Sequence, residues 1–272
     1  MVVQHNMQAV NTNRMLGTNV KAVAKATEKL SSGFAVNRAA DDAAGLSISE
    51  KMRNQIRGIN QAVKNSEDGV SLIQTAEGNM NEIHSILQRM GELATKAAND
   101  VNASEDRTAI ADEMTQLREE IDSIASKAAF NGTKLLTGSF TSKYLQVGAN
   151  AKENMKISIS SMTASKLGIT STSMKISTHA LASSAMTKIS EAIKKVSGAR
   201  SKLGAIQNRL DYTINNLNNY SENLTSAESQ IRDTDMASEM TNYTKNNILQ
   251  QAAQSMLAQA NQSTQGVLSL LG

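Results

Sequence analysis

Residues 48–97 read "ISEKMRNQIRGINQAVKNSEDGVSLIQTAEGNMNEIHSILQRMGELATKA". Apolar or small residues recur there at Ile48, Met52, Ile56, Ile59, Val63, Ser66, Val70, Ile73, Ala76, Met80, Ile83, Leu87, Met90, Ala94 and Ala97. Steps of three and four alternate almost throughout, so these positions form one seam of a single long helix. About fifty residues at 1.5 Å rise make a rod of roughly 75 Å. That is too long for the inside of a small domain and predicts an elongated protein.

A seam of this length needs a partner of similar length. Helical spacing returns at Ile189 and continues through Val196, Ala199, Leu203, Ile206, Leu210, Leu217, Tyr220, Leu224, Ala227 and Ile231. The two stretches, 46–99 and 180–232, are expected to pair antiparallel. Between them "NDVNASEDR" ends the first rod. Ser104 suits the N-cap of a helix over 104–129, with Glu105 and Asp106 in its first turn. Its seam runs Ile110, Met114, Leu117, Ile121, Ile124 and Ala128, and Asn131-Gly132 reads as a turn. From 134 to 178 the period becomes two in "KYLQVG", "NMKISIS" and "SMKIS", which predicts a small β element of hairpins. The fold class expected is mainly α, an elongated antiparallel helical bundle or coiled coil with a small β-hairpin element.

The termini carry narrower seams. At the front are Val3, Met7 and Val10, then, after a phase slip, Leu16, Val20, Val23, Thr27, Leu30 and Phe34. At the back are Met236, Met240, Tyr243, Ile248, Ala252, Met256 and Leu257, then Val267, Leu268, Leu270 and Leu271. Two such helices bury little surface and are marginal alone. Neighbouring molecules are expected to complete their burial.

Between the front helix and the long rod lies "LSSGFAVNRAADDAAGLSISE" (30–50). Gly33 suits a C-cap. Either Asp42 or Ser47, the latter within the capping-box pattern Ser47-Ile48-Ser49-Glu50, could start the next helix. Asp41 and Asp42 with Arg38 fit helix-start carboxylates beside an arginine, or an acid pair. Adjacent residues point to different faces of a helix, so they make no two-carboxylate site by themselves.

Composition narrows the function. The chain has 272 residues, net charge +3, no Cys, no Pro, no Trp and 3% aromatics. Without Cys there is no disulfide, thiolate nucleophile or Cys metal ligand. Lys and Arg alternate with acids and form no basic stripe, so no nucleic acid is expected. No apolar run approaches the roughly 18–20 residues that cross a bilayer. "MVVQHNMQAVNTNR" lacks the basic and apolar regions of a secretory signal, so export would take a signal-less route. His5, His84 and His179 are isolated, and no nucleophile elbow, phosphate loop or dinucleotide motif occurs. No enzyme activity and no cofactor or metal is expected, and the 14 methionines read as seam filler.

These features occur together in a recognisable order. "DDAAGLSISEKMRNQIRGINQA", "NSEDGVSLIQTAEGNMNEIHSILQRMGELA", "FNGTKLL", "LQVGAN", "ISSMTASKLGI", "GAIQNRLDYTINNLNNYSENLTSAESQIRDTDMASEM" and the final "VLSLLG" closely resemble bacterial flagellins, over nearly the whole chain. Only about twenty residues separate "SKLGI" from "ISEAIKKV", so the chain resembles a minimal member without the hypervariable outer domains. The resemblance implies a subunit exported unfolded by the flagellar type III apparatus and polymerised into an extracellular filament for swimming. Its implied partners are copies of itself, a filament cap protein, a hook–filament junction protein and a cytoplasmic export chaperone on the C-terminal helix.

The implied division is an inner-tube domain from 1–33 and 234–272, a spoke at 34–45 holding Arg38, Asp41 and Asp42, and an outer-tube domain over 46–233. Polymer contacts would fall on Val3, Met7, Val10, Leu16, Val20, Val23, Leu30, Ile248, Met256, Leu257, Val267, Leu268, Leu270 and Leu271. "LQRMGELA" (87–94) further resembles the segment that Toll-like receptor 5 recognises, with Arg89, Leu93 and Glu113 as contacts and Gly91 where strong agonists carry arginine. The homologous hook–filament junction protein is the alternative, and an enzyme-bearing variant a more distant one.

Overall fold

The structure, a computed structural model, describes residues 6–172 and 174–271, with side chains described as far as 263. Val3 therefore lies outside the described residues, as do the side chains of Val267, Leu268, Leu270 and Leu271. The chain is mainly α. In order it forms α1 (Met7–Ser32), α2 (Ala43–Ala97), α3 (Ser104–Lys127), β1 (Ala129–Phe130), β2 (Thr133–Lys134), β3 (Lys143–Gln146), β4 (Asn154–Ile157), α4 (Ala164–Leu167), α5 (His179–Arg232) and α6 (Met236–Leu271). Two compact units result: Arg57–Ser221, and Met1–Ile56 together with Glu222–Gly272.

The central unit, Arg57–Ser221, holds the core. Along α2 the buried seam positions are Ile59, Ala62, Ser66, Gly69, Ile73, Ala76, Met80, Ile83, Leu87, Met90, Ala94 and Ala97, with Leu93 buried beside the seam. The three–four alternation is unbroken, as a coiled-coil seam requires. Ala62 and Gly69 take the places expected of Val63 and Val70, which are half-buried. The small pair lets neighbours come close. A β-carbon at Gly69 would stand against Leu145 of β3 and Leu210 of α5. Ala182, Ala185, Ile189, Ala192, Val196, Leu203 and Leu210 of α5 face the same core, and Leu217 is buried farther along the helix. The pairing is antiparallel. Ser221 donates to Asn60 (3.0 Å), Arg200 meets Glu77 (2.8 Å), and Gly91 faces Ile189.

The third helix of this unit, α3, contributes Ile110, Met114, Ile121 and Ala125. Its N-cap is Ala103 and not Ser104. The Asp106 carboxylate accepts from the Ala103 amide (3.2 Å), so the first turn is tied from inside the helix. Asn131 and Gly132 (φ 45° and 76°) make the two-residue turn of the β1–β2 hairpin. β3 and β4 pair from Lys143↔Ile157 to Gln146↔Asn154, with Met155 and Ile157 turned inward. Of "SMKIS", the described residues 174–177 form no strand. Met174 and Ile176 are buried, but residues 174–178 have no strand partner, and the Met174 amide donates to the Thr170 carbonyl (3.2 Å) in a turn.

In the other unit, α1 and α6 lie antiparallel. Asn6 caps α1 by accepting from the Ala9 amide (3.0 Å), and its own amide group donates to the Ala260 carbonyl (2.9 Å). At the far end Lys25 feels the charge of Glu239. The positions withdrawn from solvent include a stripe of Ala9, Thr12, Leu16, Asn19, Val23, Ala26 and Leu30 on α1, and one of Glu239, Tyr243, Asn246, Gln250, Ala253, Leu257 and Ala260 on α6. Both sets step by three and four, yet they are largely small or polar. Among the described residues of this unit, Ala26, Val36 and Ala260 are the buried apolar side chains.

Candidate functional site

Three groups of expected site residues can be located, and the connector after α1 comes first. Gly33 ends the helix at φ 77°, a left-handed conformation that glycine enters without a Cβ penalty, and its amide donates to Lys29 O (2.8 Å). The chain then pairs with the segment joining α5 to α6. Ala35 N donates to Arg232 O (2.7 Å), Thr234 N donates to Gly33 O (2.9 Å), and Phe34 bridges Asp233.

Asp42, not Ser47, starts α2. One carboxylate oxygen accepts from the Ala44 and Gly45 amides (3.0 and 2.9 Å), satisfying two donors that a helix start leaves free. A β-carbon at Gly45 would stand against that carboxylate. Arg38, Asp41 and Asp42 do not form one cluster. Asp41 accepts from the Arg38 amide (3.2 Å) and from the Lys25 ammonium (2.8 Å), while the Arg38 guanidinium turns to Glu28 (2.8 Å). The hydrogen bond from Lys25, then that from the Arg38 amide, holds the Asp41 carboxyl below the usual aspartate range. Asp41 in turn raises the Lys25 pKa. Every carboxylate here is committed to a cap or an ion pair, an arrangement that suits a joint and offers no acid–base pair for catalysis.

Arg232 was not foreseen. Its guanidinium lies 4.7 Å above the Phe34 ring and donates to Glu50 (2.7 Å). No local pattern links positions 50 and 232; the signal exists only once α2 and α5 are paired.

The second group lies on α1 and α6. Leu16, Val23, Leu30 and Leu257 are half-buried between the two helices. Met7 (71% exposed), Val10 (62%), Val20, Ile248 (60%) and Met256 point elsewhere and are exposed, as are Met15, Met236, Met240 and Leu249. The apolar positions of α1 on both sides of the phase slip thus fall on two different surfaces of one continuous helix. Ile48, expected in the α2 seam, and Tyr220, expected in the α5 seam, are exposed as well.

The third group is on α2 and α3. Arg89 donates through Nε and Nη2 to Glu113 (3.1 and 3.0 Å) and through Nη1 to Glu92 (3.1 Å). About half of each side chain in the Arg89–Glu113 pair meets solvent. Leu93 does not join them: it is 4% exposed and belongs to the core. Here α2 is covered by α3 and α5 together, so the buried arc widens to take in Met90, Leu93, Ala94 and Ala97. A partner on this face would meet Arg89 and Glu113, with Leu93 beneath.

Among the described residues there is no group of His, Asp and Glu able to hold a metal, and no helix long and apolar enough to cross a membrane. The pattern describing the bacterial flagellin N-terminal helical region matches residues 3–141, and that of the C-terminal helical region matches 186–271. The chain is 53% identical over 271 residues to a flagellin of Halalkalibacterium halodurans, covering all of both chains. It is 47% identical over 285 residues to the flagellar filament 31.3 kDa core protein of Treponema maltophilum, again over both full lengths. Among solved structures, Bacillus cereus flagellin is similar with a TM-score of 0.50 and 31% identity, covering 57% of this chain and 88% of that one.

Proposed function

The chain belongs to the bacterial flagellin family, and from that membership we propose that it is the structural subunit of an extracellular flagellar filament in which α1 and α6 make the contacts between copies. Flagellin is a structural family, not an enzyme family. The observation that carries the reading is the exposed apolar surface of α1 and α6 beside so small a core. Exposed aliphatics in this number call for a partner. A second copy supplies one at every repeat. The sequence adds the tail residues Val267, Leu268, Leu270 and Leu271 as further candidate contacts, their side chains lying outside the described residues.

The absence of Cys and Pro suits a chain threaded unfolded through a type III export channel. A chaperone covering the C-terminal helix before export, a cap protein at the growing end and a junction protein at the base complete the set of partners. The full-length likeness to flagellins favours this reading over the junction protein. Electron microscopy of purified chain after salting-out tests it. Long filaments are the expected result, and short rings or persistent monomers would favour the junction protein.

The exposed Arg89–Glu113 pair supports a second role, recognition of the free monomer by Toll-like receptor 5. Arg89→Ala should weaken monomer binding by about 1–2 kcal/mol, as arginine anchors do when truncated. A surface-immobilised receptor assay reads this, and unchanged affinity would remove Arg89 from the contact.

A further inference from the structure

The methionines are distributed unevenly between the two units, with Met186 the one exposed methionine among the described residues of Arg57–Ser221. In Arg57–Ser221, Met80, Met90, Met114, Met155, Met162 and Met174 are buried. On α1 and α6, all five described methionines, Met7, Met15, Met236, Met240 and Met256, are exposed. Seam filling accounts for the first set and not for the second. We propose that the five exposed methionines are oxidation sites that control assembly: a peroxide converts them to sulfoxides in the free subunit, and the modified subunit cannot join the polymer. This rests on the assembly role of α1 and α6 given above.

The chemistry needs one co-reactant, a hydroperoxide such as hydrogen peroxide. The thioether sulfur attacks one peroxide oxygen. An S–O bond forms, the O–O bond breaks, the sulfur gives up two electrons, and water leaves once the departing oxygen has taken its proton. Susceptibility follows exposure, so these five should react ahead of the six core residues, with Met186 of α5, at the margin of exposure, between the two sets.

The consequence depends on the state of the subunit. In the monomer a sulfoxide stays in water and disturbs no core. In an interface the same S=O would be a strong acceptor placed among apolar groups without a donor, an unfavourable burial. Unmodified methionine suits such an interface because its flexible thioether adapts to several neighbours. Filament contacts would in turn shield the sulfur atoms, so oxidation would stop new growth and spare what is already built. The lesion is reversible by sulfoxide reductases.

The test treats monomer with hydrogen peroxide, maps sulfoxides by peptide mass spectrometry, and measures salt-induced filaments by sedimentation and electron microscopy. Oxidised wild type should yield at least about tenfold less filament, with circular dichroism unchanged. Reduction by sulfoxide reductase should restore growth. A variant with all five methionines replaced by leucine, of similar volume, should grow equally with or without peroxide. Full growth of wild type carrying the five sulfoxides would overturn the proposal. So would peroxide sensitivity in the leucine variant, or failure of the reductase to restore growth. If untreated wild type forms no filaments, the assembly reading itself falls.

Discussion

At the scale of single residues, Asp42 and Asp41 are neighbours with separate duties. Asp42 satisfies two amides at the start of α2. Asp42→Ala should therefore lower stability by about 0.5–2 kcal/mol, read from the urea midpoint of unfolding. Asp41 is an electrostatic tie, and its effect should follow pH. Its carboxyl titrates lower in the folded chain than in the unfolded one, chiefly because Lys25 donates to it. A depressed acid pKa stabilises the fold above the unfolded value, about 3.9, and that stabilisation is lost as pH falls through the folded value. Wild type should thus melt above Asp41→Asn near neutral pH, and the difference should close as pH falls through the folded value. The raised Lys25 pKa acts in the opposite sense: its contribution is fully present below the unfolded value of about 10.4 and is lost as pH rises through the higher folded value. The difference should close again in strong alkali. Because Lys25 is largely exposed, added salt should shrink it throughout. A difference that persists at both extremes of pH would show that packing, not charge, explains the role of Asp41.

At the scale of elements, α2 and α5 were legible because their apolar residues serve one purpose. From Ile73 to Ala97 every seam position faces the same core, so hydrophobicity and geometry report the same period. Along α1 they diverge. The contact with α6 uses Ala9, Thr12, Asn19 and Ala26, while Met7, Val10 and Val20 face away. A reading that follows hydrophobicity then mixes two surfaces and finds a phase slip. "SMKIS" misled for a related reason: an extended loop that buries Met174 and Ile176 alternates like a strand, and only the missing ladder partner distinguishes them. Of the connector, the C-cap at Gly33 was legible, and the Arg232–Glu50 tie was not, because 182 positions separate its ends. The two kinds of apolar position can be separated by experiment. Ile73→Ala, in the core, should cost about 2–5 kcal/mol of monomer stability. Ile248→Ala, exposed in the monomer, should cost less than about 0.5 kcal/mol while reducing filament yield. Equal losses of monomer stability would mean that Ile248 is already buried before assembly.

For the whole molecule, the two units should differ in stability in proportion to the apolar surface each buries. Arg57–Ser221 closes a continuous core from three helices and a β element. The unit containing α1 and α6 has few buried apolar side chains among its described residues, and its helix contact is built largely from small and polar groups. Local opening requires less free energy where fewer apolar contacts must be broken. In the verified monomer, amides of α1 and of α6 up to residue 263 should therefore exchange with solvent orders of magnitude faster than those at 73–97 and 185–217. Assembly chiefly changes the balance of the unit containing α1 and α6, since a partner that binds the folded form stabilises it by mass action. In filaments the exchange of α1 and α6 should slow toward that of the core, with 73–97 nearly unchanged. Hydrogen exchange read by mass spectrometry on both states decides the matter. Strong protection of α1 and α6 in the monomer would mean that the pair is stable alone and that its exposed aliphatics do not depend on neighbouring copies for order.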